Sequence, residues 1–414
     1  MTRQPKSMVP KVRFKGFTDE WEHRELGEVS EKITQKNKDN LYSVTLTNSA
    51  EYGIIDQRSF FDKDISNAKN LSNYYVVHPD DFVYNPRISN EAPVGPIKRN
   101  NLDITGVMSP LYYVFRPHDI NKTFLEYYFS TSKWHKFMKL NGNSGARSDR
   151  FSIKDSEFVK MPIPSPKNEE QVKIGKLLST VATYLALQQR KLDQLNTLKK
   201  GLLQKMFADK KHPQPELRFK GFSGDWEQQK LKTVVNRVTR KNVNNESNLP
   251  LTISAQDGLI AQDHFFGKKV ASQNLQNYLL LKKGDFAYNK SYSNGYPFGS
   301  IKRLNKYKEG VISSLYIAFK PKQADSDYLE QFFDSDKWHR EIYSRAAEGA
   351  RNHGLLNISP NDFFDADVKL PSSNEEQKMI GDILKKVSEI ITLQQKQIDK
   401  LNSLKKSLLQ NMFI

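Results

Sequence analysis

Apolar residues recur at alternating spacings of four and three along two long segments of the chain. In the first segment the series is Ile174, Leu178, Val181, Leu185, Gln188, Leu192, Leu195, Lys199, Leu202 and Met206. In the second segment it is Ile380, Leu384, Val387, Ile391, Gln394, Ile398, Leu401, Lys405, Leu408 and Met412. This heptad spacing predicts two long amphipathic helices, and each apolar stripe needs a second helix to cover it.

Polar residues interrupt both stripes at the same places. Gln188 and Gln394 lie near the middle of the predicted helices, so antiparallel pairing should bring them close together and fix the register. A lysine, Lys199 in the first helix, stands where leucine is expected, and its counterpart in the second helix does the same. A local shift of the register toward Leu198 and Leu203 is therefore an alternative.

The two predicted helices begin in the same way. A segment that contains proline precedes each of them, and proline ends the preceding structure because it fixes φ and lacks a backbone donor. Asn168 and Asn374 follow and are predicted as N-caps. Each is followed at once by two glutamates, whose negative charge is favourable at a helix N-terminus.

Outside these helices the pattern changes to short apolar runs separated by proline, glycine and asparagine. Residues 74–77, 81–84 and 111–115 are typical of strands, and residues 278–281, 285–288 and 315–319 repeat them in the same order. A helical stretch follows in each case, around Trp134 and Trp338. Each region is therefore predicted to be a module of mixed helix and strand.

Modules and helices together form an internal repeat. Residues 10–22 (PKVRFKGFTDEWE) return as 215–227 (PELRFKGFSGDWE), and residues 187–207 return as 393–413. The repeat predicts an α+β protein with a first module at 1–166, a first long helix at 167–209, a second module at 210–371 and a second long helix at 372–414. Antiparallel pairing of the helices gives a pseudo-two-fold arrangement. Docking of each helix on its own module, or on a foreign helix, is the alternative.

Composition favours a polyanionic partner. Lysine and arginine number 64 against 47 aspartate and glutamate, which gives a formal net charge of +17. Such an excess favours nucleic acid through counterion release, although a basic protein that binds none is the alternative. No run of about 18 apolar residues suggests a membrane span. The sequence contains no cysteine, which excludes disulfides and cysteine-bound zinc. We expect a cytoplasmic protein.

Motifs for catalysis are fragmentary. Neither the phosphate-binding loop nor the dinucleotide-binding fingerprint occurs. Asn85 and Pro86 match the start of the Asn-Pro-Pro-Phe or Tyr motif of adenine methyltransferases, but Arg87 replaces the second proline. Asp367 and Lys369 form a nuclease-like Asp-x-Lys fragment, and one acid without partners does no metal chemistry. The sequence therefore favours binding over catalysis.

Repeated polar segments supply the candidate DNA-binding residues. They are Lys36, Tyr84, Asn85, Arg87, Asn90 and Arg147 in the first module, and Arg240, Lys241, Tyr288, Asn289, Lys290, Asn294 and Arg351 in the second. Arg87 and Lys290 follow a shared Tyr-Asn pair at the point where the repeats diverge, so we expect them to contact base edges. Basic residues that are alike in both halves are expected to hold phosphates: Lys36, Lys241, Arg147 and Arg351.

Taken in order, these segments resemble the specificity subunits of type I restriction–modification systems. The resemblance covers essentially the whole chain. Each variable module closes with a Gly-Ala-Arg loop and a strand that ends in proline, and each helix starts with Glu-Gln and ends with Leu-Leu-Gln-x-Met-Phe. The resemblance implies two target recognition domains separated by a pair of long antiparallel coiled-coil helices. Each domain is then expected to read one half of a split, asymmetric DNA sequence.

Partners follow from the same resemblance. Two modification subunits are expected to dock on the paired helices and to methylate adenine with S-adenosylmethionine. Restriction subunits are expected to add translocation and cleavage that depend on ATP and Mg. This chain is then a non-catalytic subunit that binds double-stranded DNA and no cofactor of its own. A self-contained adenine DNA methyltransferase and a coiled-coil scaffold that binds no DNA are the alternatives.

Overall fold

The computed structural model describes residues 8–60, 68–144, 149–210, 212–267, 274–291, 295–346 and 356–414. The chain divides into two compact units. Unit 1 is Met1–Gln189 with Gln397–Ile414, and unit 2 is Arg190–Lys396. Each unit therefore combines one module with the first part of the long helix that follows it and the last part of the other long helix. The predicted boundaries treated each helix as a separate part, whereas the compact units divide both helices.

Unit 1 contains a module of short strands and helices. Its strands are β1 (Glu22–Glu25), β2 (Ser30–Lys32), β3 (Leu46–Ser49), β4 (Gly53–Asp56), β5 (Tyr75–Val77), β6 (Phe82–Tyr84), β7 (Ile97–Arg99), β8 (Gly106–Met108), β9 (Tyr113–Pro117), β10 (Asn143–Ser144), β11 (Phe151–Ser152) and β12 (Pro162–Ser165). Its helices are α1 (Leu26–Val29), α2 (Gln57–Phe60), a 3-10 segment (Ala68–Asn73), α3 (Lys122–Phe129), α4 (His135–Asn141), α5 (Asp155–Phe158) and the first part of α6 (Asn168–Lys205).

Unit 2 repeats this order. Its strands are β13 (Glu227–Lys230), β14 (Val235–Arg237), β15 (Leu251–Ser254), β16 (Gly258–Ala261), β17 (Leu279–Lys282), β18 (Phe286–Asn289), β19 (Ser300–Arg303), β20 (Glu309–Ile312), β21 (Ile317–Pro321) and β22 (Asp367–Leu370). Its helices are α7 (Leu231–Val234), α8 (Gln262–Phe266), α9 (Ser326–Asp334), α10 (His339–Arg345), α11 (Pro360–Phe364) and the first part of α12 (Asn374–Asn411).

A four-stranded antiparallel sheet forms the centre of each module. The strand order is β2-β9-β6-β7 in unit 1 and β14-β21-β18-β19 in unit 2. Because side chains alternate along a strand, the sheet separates two apolar layers. Phe82 and Phe115, paired in the register, contribute to the large core with α3. Val83 and Val114 contribute to a smaller core on the other side, with the strands β3, β4, β5 and β8.

An ion pair ties each long helix to the segment that precedes its module's first strand. Arg13 donates from Nε and Nη2 to both carboxylate oxygens of Glu170, at 2.7 and 2.8 Å. Arg218 grips Glu376 in the same bidentate way, at 2.7 and 2.9 Å. Both glutamates are buried, and a charge in that position requires a paired, hydrogen-bonded partner. The Arg-Phe-Lys-Gly-Phe repeat therefore has a structural function.

The predicted N-caps are wrong by one position. Both helices already include the asparagine, since they begin at Asn168 and Asn374. In the second helix the side chain that accepts a hydrogen bond from the backbone of Glu376 is Ser373, at 3.4 Å. In the first helix the residue before Asn168 is Lys167, whose side chain has no acceptor for such a bond.

The end of α12 packs into the core of unit 1. The ring of Phe413 lies 5.3 Å from that of Phe124, 6.1 Å from Tyr128 and 6.4 Å from Trp21. Within this unit α6 begins at the module and α12 ends there, so the two segments run in opposite directions. They also make contact, because Gln397 Nε2 donates to the hydroxyl of Tyr184 at 3.0 Å.

Unit 2 is built in the same way around the end of α6. The ring of Phe207 lies 5.3 Å from Tyr328 and 5.9 Å from Phe332. The first turns of each long helix also pack on the module that precedes them, through Ile174 in unit 1 and Ile380 in unit 2. The first turns of each helix therefore dock on the helix's own module, which the sequence analysis gave only as the alternative.

Every member of the two predicted apolar stripes is buried or half-buried. Leu198, which the alternative register would place inside, is 50% exposed. The register that includes Lys199 is therefore the one observed. The predicted approach of Gln188 and Gln394 joins residues of different units and stays a prediction.

Lys199 can occupy a position of the apolar stripe because an acidic side chain forms an ion pair with it. Its Nζ donates to Oδ2 of Asp334 at 3.1 Å, and Nζ of Lys302 donates to Oδ1 of the same carboxylate at 2.8 Å. Burial acts to raise the pKa of the Asp334 carboxyl, but the two lysines outweigh it and hold that pKa below its usual value. The two lysines make this carboxylate a docking point between the end of α6 and the module of unit 2.

The predicted fold class is confirmed. The protein is a mixed α+β structure with two repeated modules and two long helices. No helix in the described parts of the chain is long and apolar enough to cross a membrane.

We expect the contribution of Asp334 to depend on pH. A carboxyl whose pKa is depressed by folding stabilises the folded state above its unfolded pKa of about 3.9, and this contribution is lost as pH falls through the folded pKa. Asp334→Asn should therefore lower the urea midpoint strongly at pH 7 and much less near pH 3. Ser130, at the equivalent position of unit 1, offers the matched control, since Ser130→Asn should show no such pH dependence. An equal loss for Asp334→Asn at both pH values would contradict this account.

Candidate nucleic-acid interface

The loop after β6 is built on a buried tyrosine and a glycine. The hydroxyl of Tyr84 donates to the carbonyl of Val94 at 2.9 Å, across the loop. Burial raises the pKa of Tyr84 well above its usual value, so this phenol stays neutral. Gly95 has φ +80, and a Cβ there would lie 2.1 Å from the carbonyl oxygen of Asn85. Only glycine permits this close approach.

The loop after β18 has the same construction. The hydroxyl of Tyr288 donates to the carbonyl of Phe298 at 2.8 Å, and Gly299 has φ +77 with the same 2.1 Å approach to the carbonyl of Asn289. The two predicted tyrosines therefore hold the loops from inside. Because their side chains do not face solvent, Tyr84 and Tyr288 support the loops of the candidate interface from inside the module.

The asparagine after each tyrosine shapes the loop as well. Oδ1 of Asn85 accepts from the backbone of Arg87 at 3.0 Å, and its Nδ2 donates to the carbonyl of Asn48 at 2.8 Å. Oδ1 of Asn289 accepts from the backbone of Ser291, also at 3.0 Å. Each asparagine thus forms a turn that presents the following residues.

Those following residues reach the surface in the first module. Arg87 is exposed, and its backbone pairs in an isolated antiparallel bridge with Arg150. Asn90 is also exposed. Arg150 was not predicted, because only the fold brings it beside Arg87 from a segment about 60 residues away. Its basic side chain is the one sequence signal that could have marked it.

A groove adjoins this bridge. It is lined by aromatic and basic residues, among them Lys32, Tyr113, Arg150 and Phe151. Lys32 forms an ion pair with Asp155, and its ammonium lies 5.1 Å from the centre of the Tyr113 ring. A groove of about 320 Å³ with cationic and aromatic walls suits contact with a polyanion that carries flat bases.

In the second module Lys290, the residue predicted to contact base edges, makes contacts within its own module. Lys290 is half-buried, and its Nζ makes a long contact of 3.4 Å with the carbonyl of Ile358. Its backbone carbonyl accepts from Leu356 at 3.0 Å. The loop after β18 is therefore anchored to the segment before α11, where the first module uses the Arg87–Arg150 bridge.

Lys36 and Lys241 occupy equivalent, exposed positions. The asparagine after each lysine closes the same turn: Asn37 Nδ2 donates to the carbonyl of Tyr42 at 2.9 Å, and Asn242 Nδ2 donates to that of Ser247 at 2.8 Å. These turns fix the direction of the chain at two equivalent surface points. Both lysines are thereby placed for phosphate contact, which stays a prediction.

Arg240 has an internal partner. Its Nη2 donates to Oδ2 of Asp285 at 3.1 Å and to the carbonyl of Leu280 at 2.9 Å. In the first module the equivalent buried acid, Asp81, is held instead by Arg116, at 2.8 Å from Nε and 3.0 Å from Nη2. The Arg240 guanidinium therefore stabilises a turn of the module, and its predicted DNA contact stays a prediction.

Three predicted residues lie outside the described parts of the chain: Arg147, Asn294 and Arg351. Within the described parts, no group of three or more histidine, aspartate or glutamate side chains is placed to hold a metal ion. Asp367, which resembled a nuclease fragment, is paired with Lys230 at 2.6 Å on neighbouring strands.

Comparison with known proteins connects this geometry to a family. Residues 18–197 match the protein-family model described as "Type I restriction modification DNA specificity domain". No curated protein matches the sequence. The resemblance inferred from the sequence is thus confirmed, with the matched domain covering the first module and most of α6.

Solved structures match the fold of the whole chain. One is described as the crystal structure of a "Type-I restriction-modification system S subunit from M. genitalium", with 14% sequence identity, a TM-score of 0.59, and coverage of 98% of this chain and 99% of that one. A second comes from work on "complex assembly" and "conformational transition of the type I R-M system", with 16% identity, a TM-score of 0.51, and coverage of 95% and 97%. At these identities the likeness concerns the fold.

Arg240 and Lys241, two adjacent residues after β14, allow a sharp test. Lys241→Ala should weaken DNA binding for all sequences alike and reduce the salt slope by about one unit, because one phosphate contact is lost. Arg240→Gln, which introduces the residue found at the equivalent position Gln35, should lower the unfolding midpoint because the buried carboxylate of Asp285 loses its partner. DNA titrations at several salt concentrations and urea unfolding of both variants would check this. The opposite pattern would reverse the two assignments.

Proposed function

Because residues 18–197 match the type I restriction modification DNA specificity domain, we propose that this chain is a specificity subunit. It reads a bipartite, asymmetric DNA target, with one half assigned to each module. The observation that carries this proposal is the repeated loop frame. Tyr84 and Tyr288 hold equivalent loops, yet Arg87 follows in one and Lys290 in the other. A common frame followed by different side chains suits two modules that read different half-sites.

Charge supports DNA as the ligand. The net charge of +17 favours binding to the phosphate backbone, and the exposed Lys36 and Lys241 supply basic groups at equivalent points of the two modules. Backbone contacts of this kind position a protein without specifying sequence, so specificity falls to residues such as Arg87 and Arg150. Arginine recognises guanine through two hydrogen bonds in the major groove.

Catalysis belongs to partner subunits in this proposal. Two modification subunits bind the chain and methylate adenine with S-adenosylmethionine, and restriction subunits supply ATP- and Mg-dependent cleavage in the cytoplasm. The rival reading as an adenine methyltransferase requires an asparagine side chain that grips the extruded base. Asn85 does not fit that requirement, because its amide is occupied on both sides by Arg87 and Asn48.

Methylome sequencing tests the proposed function. In a host that carries the whole system, we expect adenine methylation at a motif with two unlike halves, separated by a fixed number of unread base pairs. The methylation should vanish when this chain is deleted. In a strain with Arg87→Ala, one position of one half should become degenerate while the other half stays unchanged, since a lost base contact typically costs about 1–3 kcal/mol.

Three outcomes would count against the proposal. A continuous or palindromic motif would contradict the division between modules. Methyl transfer by the isolated chain would favour the methyltransferase. Failure of the isolated chain to bind any DNA, even at low salt, would favour the scaffold.

A further inference from the structure

Unit 1 contains lysines equivalent to Lys199 and Lys302 of unit 2, but no acid equivalent to Asp334. The repeat places Lys405 and Lys98 where unit 2 has the two lysines that share Asp334, and it places Ser130 at the position of that aspartate. Lys98 is half-buried, and burial lowers the pKa of its ammonium. The charge of Glu126 opposes this shift, whereas that of Lys405 adds to it. The charge of Lys405 therefore disfavours the ammonium form of Lys98, whereas in the other repeat a carboxylate pairs with both lysines.

Lys405 of this pair lines an open cleft between α3, α4 and the end of α12. The cleft has a volume of about 410 Å³. Three hydroxyl side chains and three ammonium groups contribute to its wall, and no carboxylate does: Ser130, Thr131, Ser132, Lys133, Lys405 and Lys406. The hydroxyls of Ser130 and Thr131 already donate to the backbone carbonyls of Glu126 and Tyr128, at 2.9 and 2.7 Å. The three ammonium groups and the hydroxyl of Ser132 are the donors that face the cleft, so the wall suits an oxyanion.

Counter-charges are missing from this wall. Across the described residues, no acidic side chain forms an ion pair with Lys133, Lys405 or Lys406. In unit 2 the counterpart of Lys133 does have one, because Nζ of Lys337 lies 2.9 Å from Oδ2 of Asp209. Three like charges around one cleft repel each other, and a bound anion relieves that repulsion.

We propose that this cleft is an oxyanion site that receives an acidic side chain of a partner protein. Unit 2 supplies the template, since its own carboxylate offers one oxygen to Lys302 and the other to Lys199, at 2.8 and 3.1 Å. In unit 1 a carboxylate from outside can meet Lys405 in the cleft that Lys133 and Lys406 also line. The cleft also lies on a long helix and includes the apolar Leu409, which suits a protein side chain better than a DNA phosphate. The proposal rests on the proposed function only for the identity of the partner, a modification subunit.

The substitution Ser130→Asp tests the site, because it supplies the missing carboxylate from within. We expect the unfolding midpoint to rise as the lysines gain a partner. We also expect binding of the purified type I modification subunit to weaken by about tenfold at low salt, since a charged pair at an interface changes affinity by that order. The loss should shrink at high salt, where the partner's ion pair is screened.

Two further variants keep the test independent of folding. Lys406→Gln removes one charge from the wall and should weaken the same binding without changing the unfolding midpoint. Lys400→Gln, an exposed lysine of α12 that does not line the cleft, should leave the binding unchanged.

Several results would overturn the proposal. If Ser130→Asp and Lys406→Gln both leave binding of the modification subunit unchanged, no partner carboxylate occupies the cleft. If they weaken DNA binding by the isolated chain and lower its salt slope, the anion is a phosphate. Failure of the proposed function is a different result, because the unmodified chain would then bind neither the modification subunit nor DNA.

Discussion

The architecture depends on one interaction, the packing of each long helix's last residues into a module's aromatic core. In unit 1, Phe413 fills a space between Trp21, Phe124 and Tyr128, and the end of α12 is thereby fixed to the first module. Phe207 does the same in unit 2. Truncating a buried phenylalanine typically costs about 3–5 kcal/mol, so this contact is strong enough to set the direction in which a helix returns.

The polar contacts around these cores fix where the helices start and end and favour one folded arrangement over others. Arg13–Glu170 and Arg218–Glu376 fix the starts of the helices, while Asp334 holds the end of α6 through Lys199. Buried ion pairs contribute modestly to net stability, but removing one partner leaves an uncompensated charge. Such pairs therefore favour one arrangement over others. The modules remain able to vary at their exposed loops because neither the cores nor these pairs include the variable side chains.

Local patterns in the sequence predict most of the fold. The heptad spacing gives the two helices and their register, and the alternation around Phe82 and Phe286 gives the central strands, because both signals depend on neighbouring residues alone. The internal repeat then gives the number of modules. Sequence patterns do not show into which module the end of each helix packs. That depends on which aromatic side chains Phe207 and Phe413 contact in the folded protein.

The candidate site is predicted less well, for a physical reason. A basic residue in a loop looks the same in sequence whether it faces solvent or an acid far along the chain. Arg240 meets Asp285 only in the folded module, and Arg150 joins Arg87 only through a backbone bridge. Tyr84 and Asn85 were found correctly as a repeated pair, but their buried hydrogen bonds show that the repetition preserves the loop frame.

Hydrogen–deuterium exchange on Phe413→Ala tests the central claim most directly. If the aromatic contact fixes the end of α12, amides of residues 397–411 should lose protection in this variant, while those of residues 374–389, which belong to unit 2, should keep it. Leu404→Ala, at a position that is 48% exposed on the same helix, should change neither segment. Unchanged protection of residues 397–411 in Phe413→Ala, or an equal loss along the whole helix, would contradict the account.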